Sequence, residues 1–202
     1  MRKLLIVAAT LAMTTSALAA KAPTAHKPAA GMPAAAPVWT VDKPASRLGF
    51  RATANGVGFD GQFRTWDAQI AFDPKNLKAS HVMVSVTMAS VITGDPTRDQ
   101  MLPTADWFEV SRFGKSTFET TSIAQTGPDH YVANGTLMMH GVKRPVSLPF
   151  SLKITGDVAT MDGATTLDRM QFGPLGKGQA GGPETVAPQV AVNVKLTARK
   201  GH

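Results

Sequence analysis

The sequence predicts an all-β, antiparallel protein of about eight strands, with one short helix between strands. Apolar and polar side chains alternate along most segments between residues 47 and 198, as in strands that face a core on one side and water on the other. Turn residues separate these segments at short intervals, a spacing typical of a barrel or a sandwich.

The N-terminus predicts a secretory signal over residues 1–19. Arg2 and Lys3 precede an apolar stretch from Leu4 to Met13, and Ala17-Leu18-Ala19 follows with the small residues of a cleavage site. The apolar stretch is shorter than the ~20 residues that a membrane-spanning helix needs. We therefore expect export and cleavage rather than a membrane anchor.

Residues 20–37 are almost entirely Ala, Pro, Lys and Gly, which predicts a linker ahead of a folded domain over residues 38–202. The absence of cysteine excludes disulfides and attachment to lipid through a cysteine thioether. The formal net charge is +7, and loss of Arg2 and Lys3 leaves 19 basic against 14 acidic residues, a net charge of +5. This surplus either aids solubility alone or favours weak attraction to anionic membranes, and its scattered charges argue against nucleic acid.

Each alternating segment separates an apolar face from a polar face. In the first segment, Leu48, Phe50 and Ala52 lie on the apolar side. The further segments are the one around Phe59 and Phe63, Trp66 to Phe72, Val82 to Met88, Ser116 to Ile123, Tyr131 to Met139, Val146 to Ile154, Asp157 to Asp168 and Val190 to Ala198. Asn134-Gly135 lies inside a continuous segment, so we interpret it as a bulge or bend rather than a hairpin turn.

The helix is predicted at Thr97 to Leu102. Pro96 suits the first turn of a helix, and Pro103 prevents its continuation. A second helical turn is expected from Thr104 to Phe108, and the rest of the domain is predicted as strand and turn.

Two runs of sequence carry a resemblance to a known family. Residues 90–110 read SVITGDPTRDQMLPTADWFEV, a turn, a short helix and an aromatic pair, and residues 135–146 read GTLMMHGVKRPV, a strand that ends in a His-Gly turn. Together with Trp39-Thr40-Val41-Asp42 and Gly61-Gln62-Phe63, they resemble the YceI family of secreted bacterial proteins. The resemblance implies a lipocalin-like, eight-stranded antiparallel barrel that binds a long isoprenoid lipid.

An eight-stranded barrel either fills with side chains or holds one slender ligand. Taken alone, the apolar stripes of this sequence are typical of a packed core. The resemblance favours an apolar tunnel instead, with the segment from Thr93 to Phe108 closing one end. We expect the tunnel to be lined by Phe50, Phe63, Trp66, Ala68, Ile70, Val84, Val86, Phe108, Phe118, Phe150 and Leu152.

Four basic residues are candidates to meet the lipid head group at the tunnel mouth: Arg98, Lys143, Arg144 and Arg169. For Arg98 the alternative is an ion pair with a carboxylate such as Asp99 or Asp106. For Lys143 and Arg144, which lie in a turn before Pro145, the alternative is a solvated surface position.

The sequence assigns no catalytic residue and no metal site. His140 stands at a strand–turn junction without the spaced His, Cys or carboxylate partners that a metal site needs, so we expect it to stabilise the turn. Met138 and Met139 would suit Cu(I), but adjacent residues of a strand face opposite ways.

The resemblance implies a binding protein rather than an enzyme, located in the periplasm and carrying a polyisoprenoid such as a quinone or a prenyl pyrophosphate. No cofactor is expected beyond that ligand. The sequence leaves open a homodimer and transient contact with a membrane surface. The alternative is a non-catalytic interaction protein with a packed barrel, accessory to a membrane-bound b-type cytochrome.

Overall fold

The computed structural model describes residues 35–173, 175–176 and 185–201, and most of these residues lie in β-strands. The predicted signal peptide and most of the predicted linker lie outside the described residues. The described part contains eleven strands: β1 Val38–Val41, β2 Arg47–Ala54, β3 Val57–Phe63, β4 Trp66–Ala71, β5 His81–Thr87, β6 Val91–Ile92, β7 Lys115–Gly127, β8 His130–Met139, β9 Val142–Thr155, β10 Val158–Asp168 and β11 Gln189–Lys200. It also contains one α-helix, α1 Pro96–Met101, and 3₁₀ turns at Leu77–Ala79, Met88–Ser90 and Arg169–Phe172. No helix in these residues is long and apolar enough to cross a lipid bilayer.

The strands form one antiparallel sheet that closes on itself. Strands β7 to β11 pair in chain order, and β5 pairs with the free side of β7. Along its other edge, β11 pairs with β2 over its first half and with β1 near its end. This pairing joins the first and the last strands and makes the sheet a barrel.

The eleven strands correspond to eight barrel strands. β1 and β2 pair with β4 and β3 respectively, so residues 38–54 and 57–71 form one long hairpin. β4 and β3 pair in turn with β5 and β6. Short breaks therefore interrupt three long strands without changing their order around the barrel. The predicted eight-stranded antiparallel barrel is confirmed.

Helix α1 begins at Pro96, one residue before the predicted start, because Asp95 caps it. The Asp95 carboxylate accepts hydrogen bonds from the backbone N–H groups of Thr97 and Arg98 at 2.9 and 3.0 Å. These two groups have no partner within the helix, and an aspartate at this position satisfies them. Helix α1 ends at Met101, before Pro103.

The hairpin between β8 and β9 turns at His140–Gly141, and not at Asn134-Gly135. Asn134 and Gly135 lie within the continuous strand β8, as predicted. The extra residue of the bulge belongs to β7, because Thr120 pairs with Gly135 and Ser122 pairs with Asn134. His140 and Gly141 have φ values of 51° and 74°, which suit a two-residue type I′ turn.

Two clusters of buried side chains lie at opposite ends of the barrel strands. One contains Trp39 and Ala198, with further residues from the same end: Phe72, Ile123, Tyr131, Ala133, Leu152 and Ala159. The other lies beside α1 and consists of Val91, Leu102, Trp107 and Val186, with Phe50, Phe63 and Phe108 packed against it. The two ends of the barrel are therefore better packed than its middle.

Glycines on the inner wall make room for aromatic rings. Gly61 of β3 pairs with Phe50 of β2, and a Cβ at Gly61 would come within 3.0 Å of three atoms of the Phe50 ring. Gly135 of β8 lies against the ring of Phe118 in the same way. Each ring therefore lies over the neighbouring strand, against the wall, instead of pointing across the interior.

We expect Gly61→Ala to lower the free energy of unfolding by about 1–3 kcal/mol, because the added methyl displaces the Phe50 ring. In a chain that carries Phe50→Leu, the same substitution should have a much smaller effect. Urea unfolding followed by circular dichroism measures the four proteins as a double-mutant cycle. Equal losses in the two backgrounds would contradict a wall position adapted to this ring.

Candidate functional site

The barrel interior contains a cavity of about 650 Å³. Its wall includes Trp39 and Ala198 of one buried cluster and Leu102 and Trp107 of the other. The cavity therefore runs along the barrel from one end towards the other. Its volume lies in the range of roughly 300–1,000 Å³ that is typical of small-molecule sites.

Inner side chains in the middle of the barrel are only partly buried, and the cavity is the reason. Val84 and Val86 of β5 and Val192 and Val194 of β11 all face the interior and are half-buried. In a packed core, side chains of this type are close to fully buried. The barrel is hollow.

All eleven residues that the sequence predicted for a tunnel lie on the cavity wall: Phe50, Phe63, Trp66, Ala68, Ile70, Val84, Val86, Phe108, Phe118, Phe150 and Leu152. Their part in holding a ligand stays a prediction. The predicted set omitted the inner residues of β11 from Val190 to Leu196, although the alternation of that strand already indicated them.

Phenylalanines form a group at the α1 end of the cavity. The ring centroids of Phe50 and Phe63 are 5.7 Å apart, and those of Phe63 and Phe108 are 6.1 Å apart. Phe59 meets Phe50 edge to face at 6.4 Å. These distances are those of favourable aromatic pairs. They hold Phe108, which comes from the loop after α1, against the barrel wall.

Polar residues join the cavity wall at the same end. We call this set the mouth: Asn55, Asp95, Thr97, Arg98 and Thr185. Asn55 lies at the tip of the β2–β3 hairpin, Asp95 and Thr97 lie at the start of α1, and Thr185 precedes β11. All of them are partly or fully exposed. The mouth is therefore the polar, solvent-exposed end of a mainly apolar cavity.

Arg98 lies in the mouth. It also forms an ion pair, which was the alternative to a head-group contact, but with a different carboxylate from the two suggested. Its Nη1 lies 3.4 Å from Oδ2 of Asp95, its Nε donates to Oγ1 of Thr93 at 3.3 Å, and its guanidinium covers the ring of Phe59 at 4.3 Å. The sequence had suggested Asp99 or Asp106 as the partner. Asp99 instead accepts hydrogen bonds from the backbone N–H and the hydroxyl of Thr93, both at 2.7 Å.

Arg169 lies deeper at the α1 end and is only 5% exposed. Its Nε donates to the carbonyl of Ala187 at 3.1 Å, its Nη2 donates to that of Val186 at 2.5 Å, and its Nη1 donates to that of Leu175. The ring of Trp107 lies 5.6 Å from the guanidinium. Burial lowers the pKa of Arg169, and the charge of Asp168 acts in the opposite direction.

Lys143 and Arg144 lie in β9, and neither of them lines the cavity. Both side chains are exposed, and Nε of Arg144 donates to the carbonyl of Gln171 at 3.1 Å. The structure therefore brings Arg98 and Arg169 to the cavity and leaves the other two candidates outside it.

His140 lies off the cavity wall, in the turn where the sequence placed it. Its side chain is buried, with Nε2 3.5 Å from Oε2 of Glu109 and the ring 4.3 Å from that of Phe113. Met139 lines the cavity and Met138 does not, so their sulfurs face opposite ways. In the part of the chain described here, no group of three His, Asp or Glu residues could hold a metal ion.

Known proteins are similar to this chain in sequence and in fold. A family model described as the YceI-like domain matches residues 39–198. A UPF0312 protein of Ectopseudomonas mendocina is 31% identical over 145 residues, which cover 66% of this chain and 75% of the relative. Protein YceI of Salmonella arizonae is 32% identical over 127 residues, which cover 61% of this chain and 66% of the relative.

Solved structures agree with the fold. The crystal structure of Burkholderia cenocepacia BcnA has a TM-score of 0.74 at 26% identity and covers 78% of this chain and 98% of its own. A polyisoprenoid binding domain from Saccharophagus degradans has a TM-score of 0.64 at 14% identity, covering 82% of this chain and 99% of its own. Because the family match spans nearly the whole barrel, the resemblance is confirmed: this chain belongs to the YceI family.

Proposed function

We propose that this protein binds a polyisoprenoid lipid, a quinone or a prenyl pyrophosphate, in the barrel cavity and carries it through the periplasm. The observation that carries the proposal is the apolar cavity of about 650 Å³ along the barrel. Each methylene removed from water contributes ~0.8 kcal/mol, so a long prenyl tail binds tightly without a strong polar contact. The half-buried inner valines and phenylalanines are the surface that such a tail would cover.

Two further observations support the proposal. The Saccharophagus degradans domain with the same fold is a polyisoprenoid binding domain, and we extend this class of ligand to the present chain. The signal-like residues 1–19 support export, and the basic surplus of the remaining chain supports transient contact with an anionic membrane where the lipid would be loaded.

We propose binding without catalysis. The buried hydroxyls on the cavity wall are engaged by the backbone. Oγ of Ser116 donates to the carbonyl of Met138 at 2.8 Å, and Oγ1 of Thr120 accepts from the N–H of Val82 at 2.9 Å. A nucleophilic hydroxyl needs a base within hydrogen-bond reach, and the buried His140 lies off the wall.

The alternative function, an interaction protein with a packed barrel, required a filled interior. The barrel does not meet that requirement, because the inner side chains leave about 650 Å³ unfilled.

We expect Ala68→Trp to abolish lipid uptake while the barrel stays folded. Ala68 is a small residue on the inner face of β4, opposite Val84, and a tryptophan there would occupy the middle of the cavity. The measurement is the amount of lipid that co-purifies with the protein, determined by mass spectrometry, with circular dichroism as the test of folding.

The matched control is Gln69→Trp, which places the same side chain on the exposed outer face of the same strand. This variant should keep the lipid. Unchanged lipid content in a folded Ala68→Trp protein would contradict binding in the cavity.

Protein purified from the periplasm of its own host is expected to release about one isoprenoid per chain on organic extraction, because a cavity with this lining would retain its ligand through purification. Mass spectrometry of the extract identifies the lipid. A native mass equal to that of the bare processed chain, with no lipid in the extract, would count against a carrier.

A further inference from the structure

We infer that the head group held at the mouth is uncharged, an alcohol or a quinone rather than a pyrophosphate. The inference rests on the proposed function and narrows its class of ligand. It follows from the hydrogen bonds and ion pairs that the charged residues at the α1 end of the cavity already make within the protein.

Arg98 supplies the positive charge of the mouth, and a neighbouring carboxylate already offsets it. Asp95, which also lines the mouth, lies 3.4 Å from its Nη1, and the guanidinium face rests on the ring of Phe59. Its Nε donates to Thr93. A phosphate that approached Arg98 would meet the Asp95 carboxylate at the same place, and like charges within a few Å repel.

Asp99 adds a second negative charge one turn further along α1. The hydrogen bond from the Thr93 hydroxyl, with smaller contributions from the backbone and from Arg98, lowers the pKa of the Asp99 carboxyl below its ordinary value. This carboxylate is therefore ionised at neutral pH. The cap and first turn of α1 thus carry two carboxylates for one guanidinium, and of these Asp95 lines the cavity.

Arg169 is the second cation among the described residues of the wall, and three carbonyl oxygens accept hydrogen bonds from it. Each of its three nitrogens donates to a backbone carbonyl, those of Ala187, Val186 and Leu175. These carbonyls take three of the five N–H donors of the guanidinium, so an anion would have to compete with them for the nitrogens. Buried carbonyls that lose their donors raise the free energy of the protein, so this exchange is unfavourable.

A pyrophosphate is strongly hydrated in water, and a binding site needs several cations or a metal ion to replace that hydration. An alcohol or a quinone oxygen needs only one donor or acceptor. Asn55, Thr97 and Thr185 provide such groups at the mouth. The described mouth therefore suits a neutral head group and lacks the charge that a pyrophosphate requires.

Two probes with the same tail, farnesol and farnesyl pyrophosphate, isolate the head group. All three tryptophans of the chain line the cavity, so intrinsic fluorescence reports the entry of either probe. We expect farnesol to bind about tenfold more tightly or better, a difference of about 1.4 kcal/mol. Tighter binding of farnesyl pyrophosphate would overturn the inference and leave the proposed function standing. Binding of neither probe would overturn the proposed function, and the inference with it.

The variant Asp95→Asn tests the cause of the preference. Asparagine caps a helix as well as aspartate does, so α1 should keep its start while the mouth loses one negative charge. We expect the ratio of the two dissociation constants to shift towards farnesyl pyrophosphate by about fivefold.

The matched control is Asp162→Asn, which removes the same charge from an exposed carboxylate, 3.5 Å from Nζ of Lys195 and off the cavity wall. This variant should leave the ratio unchanged. No shift in a folded Asp95→Asn protein, or an equal shift in both variants, would overturn the assignment of the preference to the mouth.

Discussion

The pairing of β11 with both β1 and β2 is the interaction on which the rest of the structure depends. It brings Trp39 opposite Lys200 and Leu48 opposite Val194, and so turns a long antiparallel sheet into a closed ring of eight strands. Next to this seam, Nε1 of Trp39 donates to the carbonyl of Phe72 at 2.9 Å and ties β1 to the end of β4. Closure fixes the strand number, the strand number fixes the diameter, and the diameter decides whether the interior can remain hollow.

The side chains that face the interior then leave it hollow. Large aromatic side chains face inward, but Gly61 and Gly135 let the rings of Phe50 and Phe118 lie over neighbouring strands. Polar groups on the wall are either satisfied by the backbone or gathered at the mouth. Arg169 is a buried cation on this wall, and each of its three guanidinium nitrogens donates to a backbone carbonyl. The result is an apolar space with one polar end.

Period-two alternation carried most of what the sequence could predict, because it depends only on which way successive side chains of a strand point. It therefore indicated ten of the eleven expected wall residues, while Phe108, in the loop after α1, was expected from the family resemblance. The partner of Arg98 could not be predicted this way, because Asp95 is brought to it by the cap of a short helix. Lys143 and Arg144 lie in strand β9 and not in the predicted turn, because the two-residue turn at His140–Gly141 lets β9 begin at Val142. Strand β1, with four residues, is too short for its alternation to be recognised.

The seam has a consequence for how the molecule is made. Its pairs join residue 39 to residue 200, so almost the entire domain must be synthesised before the ring can close. Loop closure over such a separation is slow, and until it occurs the sheet has two unpaired edges and an uncovered apolar face. A chain that ends before Gln189 would contain nearly the whole lining of the cavity but would lack the strand that shuts it away from water. Truncated products should therefore aggregate or be degraded, and should not accumulate as partly functional carriers. Only a chain that includes β11 can enclose the cavity.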